Sequence, residues 1–446
     1  MDRATGMLTD RYELTMLSSF VADGSVDHRA VFEAFSRRLP AGRRYGVVAG
    51  LGRLLPLIAD FRFEAEDIDW LRRQDAITAE CADYLAGFRF TGEIVALPEG
   101  EVYFPGTPVV TVAGTLGECI VLETLVLSVL NHDTAIASAA ARMVVAAGGR
   151  PLIEMGSRRT HEDAAVDVAR AAYLAGFGST SNLAAGQRYG VPTVGTAAHA
   201  FTLAHRNEVA AFRSQLQALG VGTTLLVDTY DTEQGLRNAV AVARELGAAG
   251  PGAVRIDSGD LAVESVKARR LLDELGATAT RITVTSDLDE YVMAALRDAP
   301  IDGYGAGTRV ATGSGHPTAG MVYKLVAIAD SADPDAALRP VAKTTTSKLS
   351  VGGRKDVFRS YSPDGTLLAE HHVLCGPGAP APPDGARRTL RTVMNGGEIL
   401  DRSTLEDVRA RVRTALDSLP PSALEIADGP SAITPVVMNP TSGGTR

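Results

Sequence analysis

Seven apolar runs in the middle of this chain end in residue types that can do chemistry. Leu152–Met155 leads into Gly156-Ser157-Arg158-Arg159-Thr160-His161, Gly176–Thr180 into Ser181-Asn182, and Pro192–Thr196 into Ala197-Ala198-His199. Thr223–Asp228 is followed by Thr229-Tyr230-Asp231, Ala253–Asp257 by Ser258-Gly259-Asp260, and Arg281–Ser286 by Asp287. The seventh run, Asp302–Thr308, opens a stretch of glycine and small hydroxyl residues that extends to Gly320.

These groups suit a phosphorylated sugar or nucleotide. An arginine fork donates two parallel hydrogen bonds to a carboxylate or phosphate, which fits Arg158 and Arg255. Asp228 and Asp257 suit a sugar diol or a divalent metal carrying phosphates. His199 offers an imidazole that is neutral and nucleophilic near pH 7. Gly303, Gly305 and Gly307 permit positive φ and close backbone approach to an anion ahead of a helix. Thr308, Thr312 and Ser314 would add hydroxyl donors, and Arg309 and Lys324 positive charge. Taken singly, each residue has a plainer reading. A lone histidine is more often a satisfied core residue, Arg158 and Arg159 suit a helix start, Asp228 and Asp257 suit caps, and a glycine-rich pattern alone is weak. Seven such endings in succession favour a site.

The elements that must position these residues follow from the spacing. Between the runs lie amphipathic helices, Glu162–Ala175, Asn207–Leu219, Glu233–Leu246, Ala262–Leu275 and Asp289–Arg297. Such alternation predicts parallel strands, with active residues at their C-terminal ends. Seven strands fall one short of a closed eight-stranded barrel, so the expectation is an α/β fold with an irregular, incomplete (β/α) barrel at 118–330. A mixed α/β domain, 1–117, precedes it, with a strand at Arg29–Phe35, a helical look over Val47–Ile58 and short antiparallel strands in Thr91–Gly114. One long helix is expected over Glu118–Ala147, and the apolar stretch from Met321 is helix-compatible. A C-terminal extension, 331–446, carries a basic segment (Lys343, Lys348, Arg354, Lys355, Arg359), the linker Cys375–Gly385, a helix at Leu405–Leu416 and a loose final dozen residues.

Composition narrows the function classes. With 446 residues, 45% hydrophobic and 22% charged, the chain has ordinary globular values and room for two or three domains. A balance of 44 basic against 53 acidic residues argues against general nucleic-acid or acidic-membrane binding. Cys81, Cys119 and Cys375 are odd in number, far apart and without metal spacing, as for reduced cytosolic thiols. The first residues lack the apolar run of a secretory signal, and Ile120–Leu130 is too short to span a membrane, so the expected location is cytoplasmic.

Seven stretches together resemble the nicotinate phosphoribosyltransferases: LTDRYELTM (Leu8–Met16), EMGSRRTHEDAA (Glu154–Ala165), AGFGSTSNLAA (Ala175–Ala185), GTAAHAF (Gly195–Phe201), LLVDTYDT (Leu225–Thr232), VRIDSGDL (Val254–Leu261) and GAGTRVATGSGHPTAGMVYKLV (Gly305–Val326). The resemblance implies a homodimer with a shared site and the conversion of nicotinate and phosphoribosyl pyrophosphate to nicotinate mononucleotide and pyrophosphate. It further implies ATP hydrolysis coupled through a phosphohistidine at His199, with Mg²⁺. By the same match, Arg255 and Asp257 bind the base and ribose region, and Asp228 lies in the phosphoribosyl or metal site. Gly305, Gly307 and Thr308 hold the 5′-phosphate, Arg158 and Thr196 help hold nicotinate, and Tyr12, lent by the other subunit, stacks on the ring. Phe177 is a candidate for the ring's second face, since Met155 stands where many relatives carry another residue. The related nicotinamide enzymes place an aspartate where this chain has Ser181, so Ser181 favours the acid. The rival readings are a nicotinamide or quinolinate enzyme and a catalytically silent nucleotide-binding relative. The basic segment from Lys343 to Arg359 is either an ATP-phosphate contact or a solvated surface run.

Overall fold

Alternating apolar runs and amphipathic helices cannot bury their faces separately, so they must pack as layers. The computed structural model describes residues 4–343 and 351–438. It forms two compact units, Ala139–Pro317 and the pair Met1–Ser138 with Thr318–Arg446. The sequence pattern suggests divisions at 117 and 330.

The unit Ala139–Pro317 holds six parallel strands in the order Ser179–Thr180, Leu152–Glu154, Gly303–Ala306, Arg281–Val284, Ala253–Ile256 and Thr224–Leu226. The strands are short and their centres are buried, as parallel strands covered on both faces require. Helices Glu162–Leu174, Glu208–Leu219, Thr232–Glu245, Leu261–Glu274 and Glu290–Ala295 connect them. All five begin with a side-chain cap, from His161, Asn207, Asp231, Asp260 or Asp289. The expected strand Pro192–Thr196 is not one. Only Thr193 bridges, to Thr180, and the remainder is an exposed loop ending in the short helix His199–Leu203.

The other unit is built on a seven-stranded antiparallel sheet. Its order is Arg339–Pro340, Met321–Ile328, Arg29–Ser36, Val110–Thr115, Glu93–Ala96, Arg391–Asn395 and Glu398–Ile399. The stretch from Met321 is therefore a strand and not a helix. It pairs with Arg29–Ser36, setting Phe32 beside Leu325, and the rings of Phe32 and Tyr323 stack at 4.9 Å. An eight-residue apolar run fits either element by pattern, and a partner nearly 300 positions away decides it.

Helices Arg11–Asp23, Leu51–Ala59, Ala65–Arg73 and Ala79–Ala86 complete this unit's core. A second sheet joins Arg387–Arg388, Lys355–Tyr361, Leu367–Leu374 and Val436–Met438. Val436–Met438, expected in a loose tail, thus forms a parallel edge strand, while 439–446 lie outside the described residues.

The single helix expected over Glu118–Ala147 is two. Leu116–Ile120 opens with a capping box between Thr115 and Glu118, and Glu123–Ala147 follows after a break at Val121-Leu122. By length and composition this apolar segment passes as a membrane span, but 67% of its apolar 18-residue window is buried within the protein, as for a core helix.

Candidate functional site

At the C-terminal ends of the parallel strands, the polar residues converge. Arg255, on Ala253–Ile256, donates from Nη1 to Thr196 Oγ1. Burial pulls the Arg255 guanidinium below its usual basicity and Arg158 adds to this, against the opposing charges of Asp257 and Asp228. Its Nε is buried without a partner. Two cations and a hydroxyl thus face one place, an arrangement that suits a planar carboxylate.

The two aspartates have different employment. Asp228 Oδ2 accepts from the Asp257 backbone N–H at 2.8 Å and from Ser258 Oγ at 2.7 Å, while its Oδ1 is buried and unpartnered. Asp257 Oδ1 accepts from Thr285 Oγ1. Its Oδ2 lies 3.9 Å from His199 Nε2, and His199 Nδ1 is 3.1 Å from Thr229 Oγ1. His199 is partly exposed, so it is not a satisfied core histidine.

The glycine stretch behaves differently from expectation. Gly303, Gly305 and Gly307 do not take positive φ; Gly313, Ser314 and Gly315 do, at 60°, 56° and 88°. Gly305 is required by packing, since a Cβ there would lie 2.6 Å from Thr285 Cγ2 and 2.9 Å from Met155 Sδ. A Cβ on Gly156 would meet Ala311 Cβ at 2.9 Å, so the loops after the first and last strands touch closely. Thr308 opens the short helix Thr308–Ala311. The hydroxyls of Thr312 and Ser314 are committed internally, to Thr308 O at 2.8 Å and to Glu290 Oε2 at 2.5 Å. Lys324 belongs to the other unit, where it faces Glu123 at 3.6 Å.

Ser181 is exposed at its strand end, its backbone N–H held by Glu154 O at 2.8 Å. Beneath it, buried Glu154 accepts from Thr180 Oγ1 at 2.5 Å and from the Gly156 N–H, and burial raises its carboxyl. Phe177 is fully buried and offers no face to a bound ring. Tyr12 is in the other unit, about half exposed on helix Arg11–Asp23. In the basic segment Lys343 is exposed, whereas three of the other cations are paired. Arg354 pairs with Glu93, Lys355 with buried Glu33, and Arg359 with buried Glu370, so these cations hold the sheet together. Lys348 lies outside the described residues.

Thr229, Thr285, Glu154 and Glu290 escaped the sequence reading. Thr229 and Thr285 are signalled only by being hydroxyls beside strand-end carboxylates. Among the described residues no group of three or more His, Cys, Asp or Glu is arranged to hold a metal ion. The donor set is instead one free carboxylate oxygen, Asp228 Oδ1, near a second carboxylate, which suits a cation that keeps water and phosphate ligands.

A family profile for the N-terminal domain of nicotinate phosphoribosyltransferase matches residues 7–131. Nicotinate phosphoribosyltransferase pncB1 of Mycobacterium tuberculosis is 54% identical over 438 residues, covering 96% of this chain and 94% of the relative. The Bacillus subtilis nicotinate phosphoribosyltransferase is 38% identical over 80% of this chain and 74% of its own. The crystal structure of human nicotinic acid phosphoribosyltransferase superposes with TM-score 0.82 at 25% identity, covering 96% of this chain and 97% of that one. A nicotinate-nucleotide pyrophosphorylase from Pyrococcus furiosus shares the fold at TM-score 0.73 and 22% identity.

Proposed function

The chain belongs to the nicotinate phosphoribosyltransferase family, and we propose that it couples transfer of phosphoribosyl from phosphoribosyl pyrophosphate to nicotinate with ATP hydrolysis through a phosphohistidine at His199. The observation that carries this reading is the line Thr229–His199–Asp257–Thr285, in which His199 joins residues from the loops after three neighbouring strands.

With Nδ1 donating to Thr229, the Nε2 lone pair is free to attack the γ-phosphorus of ATP. An N–P bond forms, the bridging O–P bond breaks, and its electron pair leaves with ADP. Asp257, 3.9 Å away, favours the positive charge that develops on the ring. The phosphoenzyme then favours phosphoribosyl-pyrophosphate binding, which is a coupling of free energies between states.

In the transfer step the pyridine nitrogen bonds to C1 of the ribose, and the C1–O bond breaks with its electron pair on pyrophosphate. Positive charge grows on the ribose, so catalysis is mainly positioning and charge stabilisation. Arg255, aligned by Thr196 and aided by Arg158, takes the nicotinate carboxylate. Gly305, Gly307 and Thr308 take the 5′-phosphate. Asp228 would hold Mg²⁺ through its free Oδ1. Bound there, the ion offsets the charge of the departing pyrophosphate. Ser181, neutral where an aspartate would repel the acid, favours nicotinate over nicotinamide.

The same reading makes the protein a cytoplasmic homodimer of irregular α/β barrels, its shared site completed by Tyr12 of the partner subunit. Incubation with γ-labelled ATP tests the coupling: acid-labile label on the wild type and none on His199→Ala is expected. Equal labelling of both proteins would remove the phosphohistidine from the account.

A further inference from the structure

We propose that Glu290 and Ser314 are positioning residues, a clamp that fixes the glycine turn Gly313–Gly315 and, through it, the preceding helix Thr308–Ala311 that opens at the site for the phosphate of phosphoribosyl pyrophosphate. Three consecutive positive φ values, at Gly313, Ser314 and Gly315, define that turn. Ser314 stands at φ 56°, ψ 43°, left-handed geometry that residues with a Cβ seldom adopt. A turn of this kind needs something outside itself to select it. Here Ser314 Oγ donates to Glu290 Oε2 at 2.5 Å.

Glu290 cannot swing away. It is 3% exposed, and its other oxygen accepts from Arg142 Nε at 3.1 Å. Arg142 is itself buried, with its guanidinium 5.6 Å from the centre of the Tyr291 ring. Three elements are thereby tied in series: helix Glu123–Ala147 through Arg142, helix Glu290–Ala295 through its first residue, and the turn through Ser314. The strands that deliver the last two, Arg281–Val284 and Gly303–Ala306, are direct neighbours in the sheet. A buried ion pair is a poor source of stability, because desolvation offsets its attraction, but it is a good way to fix one geometry. A surface turn with no ligand would gain nothing from that arrangement.

The inference rests on reading Gly305, Gly307 and Thr308 as the phosphate site, so the test carries a control for that reading. Steady-state kinetics on the full chain, with melting temperatures, would compare wild type, Ser314→Gly, Glu290→Gln and Thr308→Ala. Ser314→Gly leaves the left-handed backbone available and deletes only the hydroxyl. It is expected to raise KM for phosphoribosyl pyrophosphate about tenfold, with kcat changed much less and the melting temperature kept. Glu290→Gln can still bond both Arg142 and Ser314 and should keep KM near wild type, while the melting temperature falls because the buried Arg142 loses its counter-charge. A Ser314→Gly enzyme with wild-type KM, beside a Thr308→Ala enzyme whose KM rises, would overturn the clamp and leave the phosphate reading standing. Unchanged KM in both would overturn both, and parallel loss of kcat and melting temperature in Ser314→Gly would reduce the clamp to a structural bond.

Discussion

Arg359 and Arg255 are both arginines among carboxylates, in different units of the molecule, and they are treated in opposite ways. Arg359 is 1% exposed, and each guanidinium nitrogen has an acceptor: Glu370 Oε2 at 2.9 Å, Glu101 Oε2 at 2.9 Å and Val102 O at 2.6 Å. Burial alone would push the Glu370 carboxyl up, but the charge of Arg359 and the hydrogen bond from His372 hold it below the ordinary value. Arg255 lies half-buried at a strand end, with Nε unpartnered and its charge disfavoured by burial. Asp228 beside it keeps Oδ1 unpartnered. Closed networks of buried charge fix a structure, whereas open ones are held ready for a ligand that completes them.

Breaking each cluster in turn sharpens that contrast. Arg359→Leu leaves Glu370 a buried charge with its main partner gone, and should cost about 3–5 kcal/mol in denaturant unfolding. Nicotinate turnover of whatever remains folded should be little changed. Arg255→Leu should do the reverse. It removes a cation already disfavoured by burial, so stability should hold or rise, while kcat/KM for nicotinate falls about 10²–10³-fold. Equal stability losses in the two variants would erase the distinction between the clusters.

The acid limb of stability follows from the same network. Glu370 has a depressed folded-state pKa, so its contribution is full above the unfolded value of about 4.3 and is lost as pH falls through the folded one. Unfolding free energy measured from pH 6 downward should therefore fall less steeply in Glu370→Gln than in the wild type. A steeper fall would contradict the depressed pKa. The smallest effect is one of specificity. Ser181→Asp should lower the preference for nicotinate over nicotinamide about tenfold by placing a like charge near the acid; an unchanged ratio would remove Ser181 from base recognition.

Much of the positioning scaffold was legible in the sequence, because apolar runs bounded by polar residues and amphipathic helices carry their own period. Six of the seven expected parallel strands are present, and the helices between them differ by a residue or two at their ends. The seventh, Pro192–Thr196, looks like a strand by composition, yet it makes only an isolated bridge at Thr193, through the Pro192 carbonyl and the Val194 N–H to Thr180. Long-range pairing explains the larger errors. Nothing local in Met321–Ile328 announces Arg29–Ser36 as its neighbour, and nothing in Lys355 or Arg359 announces Glu33 and Glu370 as buried partners. At the site, strand-end position singled out His199, Arg255, Asp228 and Asp257. Their partners Thr229, Thr285 and Thr196 became visible as partners only when the loops were seen side by side.

The central claim is that the open cluster joins nicotinate to phosphoribosyl and that His199 links this to ATP. A product assay on purified wild type and His199→Ala tests it most directly, with phosphoribosyl pyrophosphate, Mg²⁺, and nicotinate or nicotinamide, each with and without ATP. The account predicts nicotinate mononucleotide from the wild type, formed faster with ATP, and slow, ATP-indifferent synthesis from His199→Ala. Full ATP stimulation in the variant, or product from nicotinamide alone, would contradict it.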